Sequence, residues 1–320
     1  MTFTLGRGAT ALAALGTLAL VGCGSSGVAL KGPAGTILQA ANTKVLSSSF
    51  QVIFSGRLQV ALSGTNLPTG VNSLELTLLQ HEINQARLTG VAQVQSLQAA
   101  EVSFTLKPLL TKTWHVLTLS GSAYVSDNGT QWYAEGSAGS QGAAVSGSGL
   151  GNLKSELKSW GLELKSSATV TKLPSTTIGG NQVEHLQTTI AGSSLNQSMA
   201  TILGQVVGDL GAAGTSLKSD LPAIEQLVQF TGVTSDSYIR TSTGQLARTI
   251  ATLGLKLNLS ALPTLAPGQS GLPSGSASLT MTDSGAFSDY GKGFNLQKPS
   301  DIVPGPVPTP SGLAGALSQM

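Results

Sequence analysis

The sequence predicts a mainly β protein of the α+β class, in which a few helices are inserted between groups of antiparallel strands. Three observations carry this prediction. The chain of 320 residues contains 40 glycines and only 14 aromatic residues (3 Trp, 4 Tyr and 7 Phe), a composition typical of a loop-rich β protein. Residues 50–62 place apolar side chains at alternate positions, the pattern of a half-buried strand. Glycine-containing turns separate further strand-like runs, which favours hairpins.

The first elements are predicted to be a helix and then a series of antiparallel strands. Ile37, Leu38, Ala41 and Val45 lie on one face of a helix over residues 33–46. The strand candidates that follow are residues 50–62, 73–80, 86–95, 100–107 and 114–126.

Three hairpins are predicted further along the chain. Asn128-Gly129 stands between two strand-like runs and is typical of a tight type I′ turn. Gly179-Gly180 predicts a second hairpin and residues 241–244 a third. The strand after the third turn continues to residue 259, and its partner is predicted over 277–283. The remaining segments are predicted to be a flexible loop over 137–152, helices over 153–160 and 195–210, a helix that begins at Ser219 or Asp220, and a loop over 263–275.

The N-terminal segment is typical of a lipoprotein signal peptide. Residues 1–22 carry one charge, Arg7, before an apolar run over residues 9–21. That run is shorter than the roughly 20 residues that a membrane-spanning helix requires. Residues 20–23 (Leu-Val-Gly-Cys) resemble the bacterial lipobox, in which the cysteine is acylated and becomes the first residue of the mature chain. Cys23 is the one cysteine of the sequence and is therefore the predicted lipidation site.

Four segments carry further motifs, namely residues 123–132, 179–187, 238–248 and 287–291. Taken in order, these motifs resemble those of the LppX/LprG family of bacterial lipoproteins, which are themselves similar to the LolA and LolB carriers. Residues 123–132 are similar to the family's Y-V-x-x-D-G-x-x-W hairpin, and residues 179–187 to its V-x-G-x-x-x-x-H-Y segment. Residues 238–248 resemble the W-I-D-x-x-G-R-L-R-R strand pair, with Gln245 in place of an arginine. Residues 287–291 are similar to the closing F-x-D-Y-G.

The resemblance implies a single large curved antiparallel sheet, a half-open β-barrel with helices packed in its concave side. Its apolar cavity would hold an acyl lipid or lipoglycan and carry or present it across the cell envelope. The anchor would be an acyl group of the palmitate type on Cys23. This group would hold the protein at the extracytoplasmic side of the cell membrane. A membrane transporter is a further expected partner there. The predicted segments are a signal peptide (1–22), a lipidated flexible tether (23–33), the lipid-binding domain (34–302) and a disordered, Pro-rich tail (303–320).

Other classes of function find no support in the sequence. The formal net charge of +2 lacks the basic excess that nucleic-acid binding requires. No nucleophile elbow is present, and the acidic residues are scattered, so no enzyme is predicted. His81, His115 and His185 lie far apart in the sequence, and no metal site or cofactor is predicted.

Two alternatives stay open at the level of the sequence. The apolar residues of the strands and helices either line a cavity or fill a packed core, and no single ligand-binding residue can be chosen among them. The candidates are Val52, Phe54, Leu58, Val60, Met199, Ile202, Val206, Leu255 and Leu257. A packed core would favour a structural or adhesive surface lipoprotein, or an accessory subunit of a transporter.

Overall fold

The computed structural model describes residues 30–66, 73–96, 98–108, 112–120, 122–134, 167–209, 222–261 and 274–304. Cys23, the signal peptide, the loop predicted over 137–152 and the helix predicted over 153–160 lie outside these residues.

The described part of the chain contains three long helices and eleven strands. In chain order they are α1 (Gly32–Ser47), β1 (Phe50–Asn66), α2 (Ser73–Gln85), β2 (Arg87–Ser96), β3 (Ala99–Lys107), β4 (Trp114–Leu119), β5 (Ser122–Ser126), β6 (Tyr133–Ala134), β7 (Thr169–Ile178), β8 (Asn181–Ala191), α3 (Gly192–Asp209), β9 (Val228–Arg240), β10 (Leu246–Asn258) and β11 (Ser274–Ser288). Residues 222–227 form a short helical segment, and a 3₁₀ turn (Leu259–Ala261) follows β10.

All eleven strands belong to one antiparallel sheet that does not close. The strand order is β6-β5-β4-β3-β2-β1-β11-β10-β9-β8-β7. The first strand therefore lies at the interior of the sheet, where it pairs with β2 on one side and with β11 on the other. This confirms the predicted fold class, a large open antiparallel sheet with a few helices.

Two of the predicted strands are wrong in detail. Residues 73–80 belong to helix α2, although Leu74, Leu76 and Leu78 alternate as they would in a strand. Leucine, glutamate and glutamine are strong helix formers, and here that propensity outweighs the short alternation. The strand predicted over 114–126 is two strands, β4 and β5, because Ser120 takes a positive φ of 48° and reverses the chain.

The predicted hairpins are present, with one change of length. Gly179 and Gly180 have φ of 55° and 79°, and the flanking residues pair directly, as a two-residue type I′ turn requires. The third hairpin joins β9 to β10 through residues 241–245. The first is longer than predicted: residues 127–132 separate β5 from β6, because the Asn128 carboxamide oxygen accepts backbone N–H groups within the loop.

A hydrophobic core forms where α1 packs on one face of the sheet. Leu38, Ala41 and Val45 of the helix are buried against Phe50 and Val52 of β1 and against residues of β8, β9 and β10. The other buried members of this core are Leu30, Phe54, Ala92, Phe104, Trp114, Val116, Leu186, Ile239, Leu246 and Phe287.

Contacts at both ends of the described chain join it to the sheet. Leu30 is buried in the core, and α1 begins at Gly32. At the other end, the Val303 N–H donates to the Trp132 carbonyl oxygen (2.8 Å), which holds the first residue of the predicted tail against the β5–β6 loop. Within the described ranges, no helix is long and apolar enough to cross a membrane.

Candidate functional site

The two faces of the sheet differ in chemistry. Along β1 the even-numbered residues from 50 to 62 point to the side on which α1 packs, which we call the helix face, and the odd-numbered residues from 51 to 63 point to the other side, which we call the open face. Because residues directly opposite each other in a ladder share a face, the strand register extends both faces across the sheet.

The helix face changes along β1 from a packed core to a half-exposed apolar surface. Phe50, Val52 and Phe54 are buried, with 7%, 3% and 6% of their surface exposed. Leu58 and Val60, further along the same face, are only half-buried, and neither belongs to the core around α1. Apolar side chains thus continue beyond the point where the packing of α1 ends.

The same apolar surface extends over four adjacent strands, β1, β11, β10 and β9. We call it the apolar sector, and its members are all in register with Leu58, Val60 or Leu62 of β1. They are Val228, Phe230 and Val233 on β9, Leu253, Leu255 and Leu257 on β10, and Ala277, Leu279 and Met281 on β11. Of these nine, only Ala277 is fully buried. The sector has no charged side chain.

Two helices hold the edges of the apolar sector through equivalent asparagines. Asn84 of α2 accepts the Val60 N–H and donates to the Val60 carbonyl oxygen (3.0 Å), at a part of β1 that extends beyond the end of its pairing with β2. Asn196 of α3 accepts the Phe230 N–H (2.7 Å) and donates to the Phe230 carbonyl oxygen (3.1 Å), where the pairing of β9 with β8 ends. At both edges, side chains thus satisfy backbone groups that have no partner among the described strands.

A single carboxyl group lies at the border between the core and the sector. Asp283 of β11 pairs with Gly56 of β1 and with Ala251 of β10, so its side chain is on the helix face between two small residues. Its Oδ2 atom is buried and has no hydrogen-bond partner among the described residues. Burial raises the pKa of this carboxyl from 3.8 to about 6, and a hydrogen bond from its own backbone N–H partly opposes the rise.

The open face carries a shallow cavity of about 700 Å³. Ile53 and Val91, which are 55% and 37% exposed, are directly opposite each other in the ladder and form its apolar floor. Hydroxyl side chains surround them, and Arg248 is the charged residue of its lining. Sequence reasoning missed this cavity, although Ile53 is an aliphatic residue within the otherwise mostly polar set of β1.

The residues that the sequence proposed as cavity or core now separate into two groups. Val52 and Phe54 belong to the packed core, whereas Leu58, Val60, Leu255 and Leu257 belong to the apolar sector. Met199 lies on α3 and is half-buried, and the side chains of Ile202 and Val206 lie outside the described set. Cys23 lies outside the described residues. Asp283 was not among the candidates, although it is the one ionisable residue within the alternating apolar positions of β11.

The three histidines make separate, local contacts. His81 is within hydrogen-bond distance of Gln85, His115 of Ser103 and His185 of Asp236. Among the residues that the structure describes, no three metal-ligating side chains come together.

No protein-family model matches the sequence, and no curated protein matches it significantly. Among solved structures, the chain is similar to the lipoprotein LppX of Mycobacterium tuberculosis (12% identity, 82% of this chain and 97% of that chain, TM-score 0.36). It is also similar to LprF of Mycobacterium bovis (13% identity, 85% and 99%, TM-score 0.34) and to a putative outer membrane lipoprotein-sorting protein domain from Vibrio parahaemolyticus (7% identity, 80% and 90%, TM-score 0.20). These similarities agree with the resemblance in the sequence motifs.

Proposed function

We propose that this protein is a lipid-anchored lipoprotein of the cell envelope that binds the acyl chains of a lipid or lipoglycan on its apolar sector. Cys23 carries the anchor, and the folded domain carries or presents the bound lipid on the extracytoplasmic side of the membrane. Binding is reversible and involves no covalent chemistry.

The observation that carries the proposal is the loss of burial along the helix face of β1. The same strand face passes from Phe54, which is 6% exposed, to the half-buried Leu58 and Val60 without a change from apolar to polar side chains. An apolar surface of this extent is unfavourable in water, and covering it with acyl chains removes apolar area from both partners. Each buried CH₂ contributes about 0.8 kcal/mol, so a long acyl chain is held without any fixed charge.

The two asparagine contacts indicate that the apolar sector is already formed before a ligand binds. Asn84 and Asn196 fix helices at opposite edges of the sector through the backbone of Val60 and Phe230. A surface that is already formed costs less ordering entropy when a ligand binds.

The test of the binding surface is a pair of variants on β1. We expect the full chain with Cys23→Ser, purified without detergent, to carry an extractable acyl lipid that native mass spectrometry detects in stoichiometric amount. Leu58→Gln should weaken lipid binding about tenfold, because an acyl chain would then bury an amide without a hydrogen-bond partner. Ile53→Gln makes the same chemical change on the open face of the same strand and should leave binding unchanged.

Each failure of this experiment has a different meaning. A preparation that contains no lipid, and that takes up none from vesicles, would favour a structural or adhesive module with a packed core. A loss of binding in Ile53→Gln with normal binding in Leu58→Gln would move the site to the open-face cavity.

The anchor is tested separately by membrane fractionation. We expect the wild-type protein to sediment with membranes and to enter the detergent phase, whereas Cys23→Ser should be released to the aqueous fraction. Equal membrane association of the two proteins would show that the anchor lies elsewhere.

A further inference from the structure

Asp283 is the one ionisable side chain that the described residues of β1, β9, β10 and β11 place on the helix face. On the side of the sector its neighbours are Leu58, Met281 and Leu253, and on the side of the core they are Phe54, Gly285 and Thr249. Of these six, Thr249 alone has a side chain that can donate a hydrogen bond to a carboxylate, and it makes none to Oδ2.

The residues directly beside Asp283 on the two flanking strands are small. Gly56 has no side chain and Ala251 has only a methyl group. A Cβ atom added at Gly56 would meet no atom closer than 3.5 Å, which shows that the strand itself has room for a larger residue there.

An unpartnered carboxyl oxygen in such surroundings is costly for folding. Buried polar groups in native proteins nearly always have a partner, and one left without a partner costs its full desolvation free energy. Oδ2 of Asp283 has none among the described residues. An isosteric leucine would continue the apolar face and remove this cost.

We infer that Asp283 is the polar anchor of the lipid site, at which the free Oδ2 accepts a hydrogen bond from a hydroxyl or amide N–H of the bound acyl lipid. The inference rests on the proposed function. It also defines the class of ligand: an acyl lipid whose linkage region is uncharged and carries a hydrogen-bond donor, with its chains on the apolar sector. A phosphate or carboxylate at this position would be repelled, since like charges interact strongly where water is excluded.

The test compares two probes that share one acyl chain, monooleoylglycerol, which has two hydroxyl groups, and methyl oleate, which has none. The measured quantity is the affinity with which the full chain, carrying Cys23→Ser, takes each radiolabelled probe from neutral phosphatidylcholine vesicles. The chain with aspartate at position 283 should bind monooleoylglycerol with higher affinity than methyl oleate. Asp283→Leu should lower the affinity for monooleoylglycerol about tenfold, the value of one hydrogen bond to a charged acceptor, and leave the affinity for methyl oleate equal or higher.

Asp283→Asn keeps a carbonyl oxygen that accepts a hydrogen bond, so it should retain part of the preference, and it serves as the second variant where Asp283→Leu fails to fold. The inference is overturned if the wild-type residue binds both probes equally, or if Asp283→Leu changes both affinities by the same factor. In either case the proposed function stands, because acyl lipid is still bound. If the wild-type residue binds neither probe, the proposed function fails together with the inference.

Discussion

At the scale of single residues, Gly90 shows how closely the core is packed beneath β1. A Cβ atom at this position would lie 2.4 Å from the Phe54 ring and 2.4 Å from the Ser103 carbonyl oxygen. We expect Gly90→Ala to lower the free energy of unfolding by about 1–3 kcal/mol, because the ring cannot move away without disturbing the buried core. Denaturant titration measures the change.

The matched control for this substitution is Gly56→Ala on the neighbouring strand. There the nearest atom to the new Cβ is Leu88 Cβ at 3.5 Å, an ordinary van der Waals contact. Gly56→Ala should therefore be close to neutral or slightly stabilising, since alanine restricts the unfolded chain more than glycine does. Equal losses at both positions would contradict the steric explanation.

Asp283 also predicts how stability depends on pH. Its folded pKa of about 6 lies above the ordinary value of 3.8, so the folded state binds the proton more tightly than the unfolded state. Ionisation of the carboxyl therefore costs nothing below about pH 3.8, this cost grows as the pH rises, and the full cost is present above about pH 6. Over this pH range, we expect the free energy of unfolding of the wild type to fall by about 1–2 kcal/mol relative to that of Asp283→Asn. This is less than the whole pKa shift implies, because the carboxyl group is partly exposed.

Unfolding by urea at a series of pH values measures this difference directly. Glu82→Gln on α2 is the control for the removal of a carboxyl group that is exposed rather than buried. A wild-type to Asp283→Asn difference that is independent of pH would mean that the carboxyl finds a partner in the folded state.

At the scale of elements, the asparagine contacts that join α2 and α3 to the sheet replace strand pairing. Asn84 contacts both backbone groups of Val60, and Gln80 also donates to the carbonyl oxygen, at a part of β1 that extends beyond its pairing with β2. We expect Asn84→Leu to lower the free energy of unfolding by about 1–2 kcal/mol, because the part-buried Val60 N–H loses its acceptor, whereas the Val60 carbonyl oxygen keeps the Gln80 side-chain amide as a donor. It should also increase self-association, since an unpaired strand edge is a template for another chain.

Thermal unfolding and analytical ultracentrifugation check the two effects of this change. Gln85→Leu, on the next residue of the same helix, is the control: Gln85 is exposed and is within hydrogen-bond distance of His81. Its replacement should leave stability and the sedimentation coefficient nearly unchanged. Equal aggregation of both variants would indicate a general effect of surface hydrophobicity instead.

The same helix shows where local sequence patterns stop being informative. The hairpin at Gly179-Gly180 was predictable because two consecutive residues with positive φ require glycine. The alternation of Leu74, Leu76 and Leu78 predicted a strand, and the helix was decided by intrinsic propensity and by tertiary contacts that the local pattern does not contain. Asp283 was missed for a related reason, because its burial depends on strands that are distant in sequence.

At the scale of the whole molecule, the order of strands could not be read from the sequence. The chain forms two runs of consecutive antiparallel strands, β1 to β6 and β7 to β11, which join where β1 pairs with β11. This junction brings Leu58 opposite Met281, and it completes the apolar sector. Loop closure over such a separation is entropically costly, and the pairing is favourable only through the surface that it buries. The apolar sector therefore depends on the pairing of β1 with β11, two strands that lie far apart in the sequence.

The charge balance of the chain gives a prediction for lipid exchange. Removal of residues 1–22 with Arg7 would leave 16 basic residues against 15 acidic ones, and the apolar sector has no charged side chain. If the ligand is held by apolar contact, we expect the rate of lipid transfer between neutral vesicles to be nearly independent of ionic strength, because neither encounter nor binding depends on long-range charge. The same transfer should accelerate as the acyl chain of the probe is shortened, since each CH₂ removed lowers the barrier to leaving by up to about 0.8 kcal/mol.

Fluorescence dequenching of a labelled lipid in stopped flow measures both dependences on the Cys23→Ser chain. Protein-free vesicles are the control for spontaneous transfer through water. A strong decrease in rate with added salt, together with no effect of acyl chain length, would mean that the protein acts by electrostatic attraction to the membrane surface, and the apolar sector would then be a surface for some other contact. A steep dependence on chain length with no dependence on salt is what a half-buried aliphatic surface on an almost neutral chain should produce.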